Sequence, residues 1–217
     1  MKFKIQDPFP RLQFRNGFTL RRETNAIALH HLHHPTADIH EVHRWHLNKG
    51  WSGIGYSFFI DKQGNIFNGR GMLAVGSHIN PPPGTNSTTI GIAVQGAYDT
   101  VDREMPDAQF NALVWLIKEI RRKYGKIPIQ GHRDFAATAC PGRFFPMDEV
   151  RRLKYRKENK KMFKDIKGHW AEQTIKELLE MGIVNGDGNG KFRPNAKVTR
   201  AEMAQIARNI VRFITGK

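Results

Sequence analysis

Apolar positions recur along this chain with two periods, and the change between them outlines its elements. Residues 25–32, 56–61 and 90–94 are short apolar runs followed by turn residues such as His33-His34-Pro35 and Gly64-Asn65, which predicts three central strands. Residues 38–48 set Ile39, Val42 and His46 on one face at helical spacing, a short helix beside the sheet. The clearest helix covers residues 106–124. Pro106 suits its first turn, Phe110, Leu113, Val114, Ile117 and Ile120 form its apolar stripe, Arg121, Arg122 and Lys123 sit where the dipole favours cations, and Gly125 is placed to cap it. Residues 127–130 then re-enter the sheet and deliver His132 at a strand end, with Cys140 in the loop that follows. Strands alternating with helices predict an α/β domain with a mixed central sheet flanked by helices.

The pattern breaks at residues 151–161, where Arg151-Arg152-Leu153-Lys154-Tyr155-Arg156-Lys157-Glu158-Asn159-Lys160-Lys161 reads as a solvated helix end or linker. The chain is therefore divided into a first domain at 1–153, a basic linker at 154–162 and a small, mainly α-helical module at 163–217. In that module Thr199-x-x-Glu202, ahead of Met203, Ile206, Ala207 and Ile210, is a capping box opening a helix. The run from Asn185 to Gly190 looks superficially like a calcium loop, but Asn185 and Ala196 stand where such a loop needs an acid and a glutamate, so it reads as a turn. Trp170, with Ile175 and Leu178, reads as core ahead of sugar platform.

Composition narrows the partners. A formal charge of +15 on 217 residues points to a polyanion, either nucleic acid or an anionic surface. A nucleic-acid-binding zinc protein would want a Cys/His finger or an aromatic-interleaved basic face, and neither is evident, so no nucleic-acid partner is expected. The single cysteine excludes an intrachain disulfide and turns attention to metal binding or reactivity. Met1 to Pro8 lack the apolar stretch of a signal peptide, and no apolar run of about 18 residues is present to insert in a membrane. The expectation is synthesis in the cytoplasm without a signal peptide.

The candidate chemistry lies in histidines and that cysteine. His30, His31, His33 and His34 crowd one segment, and strand neighbours point to opposite faces, so at most one of His30 and His31 can join a given site. His30 with His132 and Cys140 would supply three zinc ligands and leave a fourth position for water, the coordination of a catalytic site. His40, His43 and His46 read as packing or surface residues. Arg133 and Asp134 read either as support for the His132 imidazole or as a surface ion pair.

Between these residues lie Trp45-His46, Gly50-Trp51-Ser52-Gly53-Ile54-Gly55-Tyr56, Gly64-Asn65-Ile66-Phe67-Asn68-Gly69-Arg70, Val75-Gly76-Ser77-His78 and Thr89-Ile90-Gly91-Ile92. In that order, over about residues 20–150, they resemble the zinc-dependent N-acetylmuramoyl-L-alanine amidases, a type-2 amidase family that includes amidase-type phage lysozymes and animal peptidoglycan recognition proteins. The resemblance implies hydrolysis of the bond between N-acetylmuramic acid and L-alanine in peptidoglycan. It selects His30, His132 and Cys140 as ligands of one Zn2+, and puts Tyr56 and Thr138 beside the reaction as catalytic residues. Thr138 stands where some members carry lysine, so it is expected to donate a hydrogen bond. Ala93 and Gln95 stand where many bacterial relatives place a glutamate, which leaves a carboxylate base there unsupported. His78, Asn86 and Arg70 are the expected substrate contacts. The alternative is a noncatalytic peptidoglycan-binding receptor; members without activity typically lack the cysteine, which is present here.

The remainder is similar to one complete S-layer homology module, on Phe163-x-Asp165-Ile166, His169-Trp170-Ala171, Ile175, Leu178, Gly182-Ile183, Gly186, Gly188, Phe192-x-Pro194 and Thr199-Arg200-Ala201-Glu202. This implies noncovalent binding to secondary cell-wall polysaccharide, with Arg200 and Trp170 as contacts. Such modules usually come in threes, so one implies weak attachment, or attachment strengthened by self-association and the basic linker. The combined expectation is a phage or prophage endolysin that reaches a Gram-positive wall by holin-dependent release.

Overall fold

A computed structural model describes residues 3–80, 84–156, 163–187 and 190–215. The chain forms two compact units, residues 1–158 and 159–217. The first is built on a six-stranded sheet of β1 (Ile5–Gln6), β2 (Ala26–His31), β3 (Phe58–Ile60), β4 (Ile66–Asn68), β5 (Thr89–Val94) and β6 (Ile129–Gly131), in the order β1-β4-β3-β5-β2-β6. Only the β3–β4 pair is antiparallel, so the sheet is mixed as expected. Among the described residues four α-helices complete the unit: α1 (Ile39–Asn48), the single turn α2 (Thr85–Thr88), α3 (Asp107–Tyr124) and α4 (Met147–Arg151).

Strand alternation sorts the two faces. Ile27, Leu29, Phe58, Ile60, Ile90 and Ile92 meet Phe110, Leu113, Val114, Ile117 and Ile120 of α3 in the larger core. These side chains are essentially solvent-free, and each contributes on the order of 1.5–3 kcal/mol by leaving water. The opposite face packs Phe59 and Ala93 against Ile39 and Val42 of α1. His30 shares this second face, because it is the register partner of Ala93.

Both main helices have defined ends, and that of α3 at Gly125 is the one its sequence predicts. Asp38 accepts from the Glu41 N–H at 2.8 Å while Glu41 accepts from the Asp38 N–H at 3.0 Å, a reciprocal box at the start of α1. Pro106 lies just ahead of α3, and Gly125 ends it at φ +80°, a conformation that glycine alone adopts without strain. Gln109, on the same helix, is fully buried and donates to the carbonyls of Ile60 and Gln95, so a polar group in the core has its partners.

The second unit carries α5 (Glu172–Glu180) and α6 (Arg200–Thr215), and Ile166, Ile175 and Ile183 are its buried apolar residues among those described. The Thr199–Glu202 box forms, with the Thr199 N–H to Glu202 at 2.7 Å and the Glu202 N–H to Thr199 at 3.2 Å. The core reading of Trp170 is overturned: it is 91% exposed, because it sits in the turn before α5 and Ile175 takes the inward position. Of the basic linker, residues 157–162 lie outside the described residues, as do Gly188 and Asn189 of the glycine-rich turn.

Candidate functional site

His30 lies near the C-terminal end of β2, and Gly131, the last residue of β6, pairs with Leu29 beside it. This register brings His132, which opens a short 3-10 turn, against His30, with ring centroids 4.6 Å apart. The loop after that turn returns Cys140, whose Sγ is 3.8 Å from His30 Nδ1. One ligand atom from each of His30, His132 and Cys140 lies within 4.8 Å of the other two. His132 Nε2 is buried without a hydrogen-bond partner, shared among the described residues only by Ser57 Oγ. A buried lone pair or N–H left open in this way costs stability unless something else engages it.

Electrostatics suit a cation at this position. Burial, then the neighbouring imidazoles of His78 and His132, holds His30 well below the usual histidine range, and burial also lowers His132. Burial pushes the Cys140 thiol up to about 11, against the opposing pull of the His31 backbone and Arg133. A bound divalent ion reverses that logic, since a coordinating thiol loses its proton. The donor set, two neutral imidazoles and one thiol, therefore fits a transition metal of zinc type.

The expected helpers take different places. The Tyr56 ring lies 5.1 Å from His30 and 5.6 Å from His46, and burial, reinforced by Cys140, raises its phenol well above the ordinary range. Thr138 is exposed and its Oγ1 accepts from the Cys140 N–H at 3.2 Å, so its hydroxyl shapes the loop that carries the thiol. Arg70 spends its guanidinium on the carbonyls of Ile54 and Val75 and on Ser52 Oγ. Asn86 accepts from the N–H groups of His78 and Ile79 and donates to the Ile79 carbonyl. Both thus brace protein segments. His78 is 7% exposed, with Nδ1 3.0 Å from His30 Nε2. Gln95 bridges Thr36, Ala37 and Lys62, and Ala93 packs in the core, so neither position offers a carboxylate. Asp134 accepts from the Gly131 N–H at 2.9 Å and meets Arg151, bracing the turn that begins at His132. Arg133 donates to the Gly142 carbonyl across the same loop.

Two residues read as packing or surface residues prove to be positioning elements. His43 Nδ1 accepts from the Ile54 N–H at 3.1 Å and His46 Nδ1 from the Gly55 N–H at 3.0 Å, which fixes the segment ending in Tyr56. Their helical spacing with Ile39 and Val42 was the available signal. His31, as the alternation requires, turns to the other face and accepts from the Tyr98 N–H at 3.0 Å.

The fold and the cluster together define a class, an α/β protein with a two-imidazole, one-thiol metal-type site at the end of a parallel strand. Within that class the chain belongs to the N-acetylmuramoyl-L-alanine amidase family, whose model matches residues 20–143, and it carries an S-layer homology domain at residues 163–204. It is 35% identical over 130 residues to an endolysin of Klebsiella phage KP32, spanning 57% of this chain and 84% of that relative. Peptidoglycan-recognition protein SC2 of Drosophila melanogaster is 33% identical over 109 residues, 48% of this chain and 56% of that protein. Among solved structures, N-acetylmuramoyl-L-alanine amidase LysC from Clostridium intestinale URNW is similar with a TM-score of 0.64 and 31% identity, over 70% of this chain and 97% of that one.

Proposed function

We propose that the chain hydrolyses the amide bond between N-acetylmuramic acid and L-alanine in peptidoglycan, with Zn2+ held by His30, His132 and Cys140, and that it serves as an endolysin against Gram-positive walls. The observation that carries this reading is the convergence of those three donors with His132 Nε2 left open. Zinc bound there would polarise the amide carbonyl and lower the pKa of a bound water to about 7. The protein's own residues would do the rest. Tyr56, kept protonated by burial, would donate a hydrogen bond to the oxyanion as it forms. His43 and His46 hold the backbone on which Tyr56 is mounted, so its phenol needs little reorganisation. Thr138 supports the Cys140 loop through its hydroxyl.

The second unit is assigned to secondary cell-wall polysaccharide. Trp170, exposed to solvent beside the His169 ring, suits stacking on a sugar ring, and exposed Arg200 suits an anionic substituent. Release from the host cytoplasm through a holin-type lesion, and self-association that multiplies single weak contacts, complete the proposal. No helix among the described residues is long and apolar enough to cross a membrane. A noncatalytic receptor has less support, because Cys140 lies within the cluster.

The test is digestion of defined muropeptides followed by mass spectrometry of the products, with elemental analysis of the same preparation. The expected result is a stem peptide with a free L-alanine amine and about one zinc per chain. Cleavage at any other bond, or full activity after chelation, would overturn the assignment.

A further inference from the structure

His78 is 48 residues from His30 in sequence, yet its ring makes a close polar contact with it. His30 Nε2 and His78 Nδ1 are 3.0 Å apart, so one nitrogen carries the proton and the other the lone pair. The polarity is set further along the chain of contacts. Thr89 Oγ1 lies 2.7 Å from the Thr85 carbonyl, which can only accept, so the hydroxyl proton points there. The hydroxyl therefore meets His78 Nε2, a long 3.5 Å away, with a lone pair, and the proton between them belongs to the imidazole. A neutral imidazole with its proton on Nε2 has a bare Nδ1. His78 Nδ1 is thus the acceptor, His30 Nε2 the donor, and His30 Nδ1, the nitrogen 3.8 Å from Cys140 Sγ, carries the lone pair that faces the thiol.

The ring of His78 occupies a space shaped for it. A Cβ on Gly91 of β5 would fall 2.5 Å from His78 Cδ2, and a Cβ on Gly76 would fall 2.3 Å from the same atom. Gly91 is the register partner of Ala28 and lies on the sheet face of His30, so a side chain there would displace the imidazole from the strand. Asn86 holds the His78 backbone N–H at 2.9 Å. Main chain, ring and relay are all constrained.

We infer that His78 is a positioning residue that, with Thr89 behind it, fixes His30 in the tautomer protonated on Nε2, leaving the Nδ1 lone pair aimed at the cluster with His132 and Cys140. Its consequence for metal affinity rests on the zinc reading above; the tautomer itself does not. Holding a ligand imidazole in the required tautomer removes a reorganisation step from metal binding.

The test uses the full-length, metal-free, 15N-labelled protein near pH 7, with His30 signals identified by their loss in His30→Gln. Long-range 15N–1H spectra of the imidazoles are expected to show His30 protonated on Nε2 and bare on Nδ1, and His78 likewise. In His78→Phe the His30 ring should become a mixture of tautomers and zinc affinity, measured by chelator competition, should fall by about 10- to 100-fold. His78→Gln, whose carbonyl can still accept from His30, should recover most of that loss, and Gly91→Ala should behave like His78→Phe. His30 protonated on Nδ1 in the wild type, or an unchanged His30 tautomer in folded His78→Phe, would overturn the inference. A protein that binds no zinc but keeps the predicted His30 spectrum would sustain the relay and remove the zinc reading.

Discussion

Tyr56 and Thr138 flank the same cluster but are committed differently. The Tyr56 side chain is half-buried beside His30, and its raised phenol remains protonated through the whole neutral range, so it can only donate to charge that develops next to it. The Thr138 hydroxyl is engaged with the Cys140 backbone and lies in an exposed loop. Removing one preorganised oxyanion donor costs on the order of 10²- to 10³-fold in turnover. Tyr56→Phe is therefore expected to lower kcat by about 10²-fold or more with KM and zinc content nearly unchanged, whereas Thr138→Ala should cost less than about tenfold. Steady-state kinetics on a soluble muropeptide, with metal analysis of each variant, checks both. A Tyr56→Phe enzyme with wild-type kcat would remove the phenol from the reaction.

Elements rather than single residues hold this site together, and α1 does so through the buried imidazoles of His43 and His46. Burial, then Lys49 and Arg70, lowers His46 to about 4, and its Nδ1 accepts the Gly55 N–H. Folded, the ring stays neutral down to about pH 4; unfolded, it takes a proton below about pH 6.5. The unfolded state thus gains the extra proton as pH falls from 6.5 to 4, and stability drops across that window by roughly 3 kcal/mol from this group. Urea unfolding of the metal-free protein at pH 7, 5.5 and 4.5 should show the decline. His46→Asn, which retains an acceptor but cannot titrate, should make the decline shallower while the other buried histidines still contribute, and an identical slope in both proteins would mean that His46 does not contribute. This coupling was only half visible beforehand. The spacing of Ile39, Val42 and His46 announced the helix, but the acceptor role depends on Gly55, brought back by a turn that no periodicity describes. The same limit explains the rest. β2, β3, β5, β6 and α3 were legible because each carries a run or stripe of apolar residues long enough to show its period. β1 and β4, at one side of the sheet, lie in mixed stretches, Lys4-Ile5-Gln6-Asp7 and Asn65-Ile66-Phe67-Asn68, that contain no such run. The three cluster residues were legible through motif order, whereas the pairing of His30 with His78 is a tertiary contact that chain position does not encode.

On the scale of the whole molecule the decisive residue is Arg156, which the charge pattern assigned to the linker. Its N–H donates to Asn111 at 2.8 Å, its carbonyl accepts from the same amide at 3.0 Å, and its guanidinium reaches the Met105 carbonyl, Glu149 and the face of Phe110. The first unit is thus fastened at its end to α3 and α4, three residues beyond the boundary that composition suggested. A protein truncated after residue 156 should fold, bind about one zinc and cleave solubilised peptidoglycan fragments at close to the full-length rate. One truncated after residue 153 should lose roughly 2–4 kcal/mol, because the clamp joins several hydrogen bonds, some of them charge-assisted, to a cation–π contact. Denaturant midpoints of the two truncated proteins measure this difference directly. The longer one should also lose cosedimentation with intact walls that the full chain retains, since the S-layer homology domain is gone while the amidase site is untouched. Equal stability of the two would show that Arg156 is linker after all, and wall binding undiminished without residues 157–217 would move the attachment function into the catalytic unit.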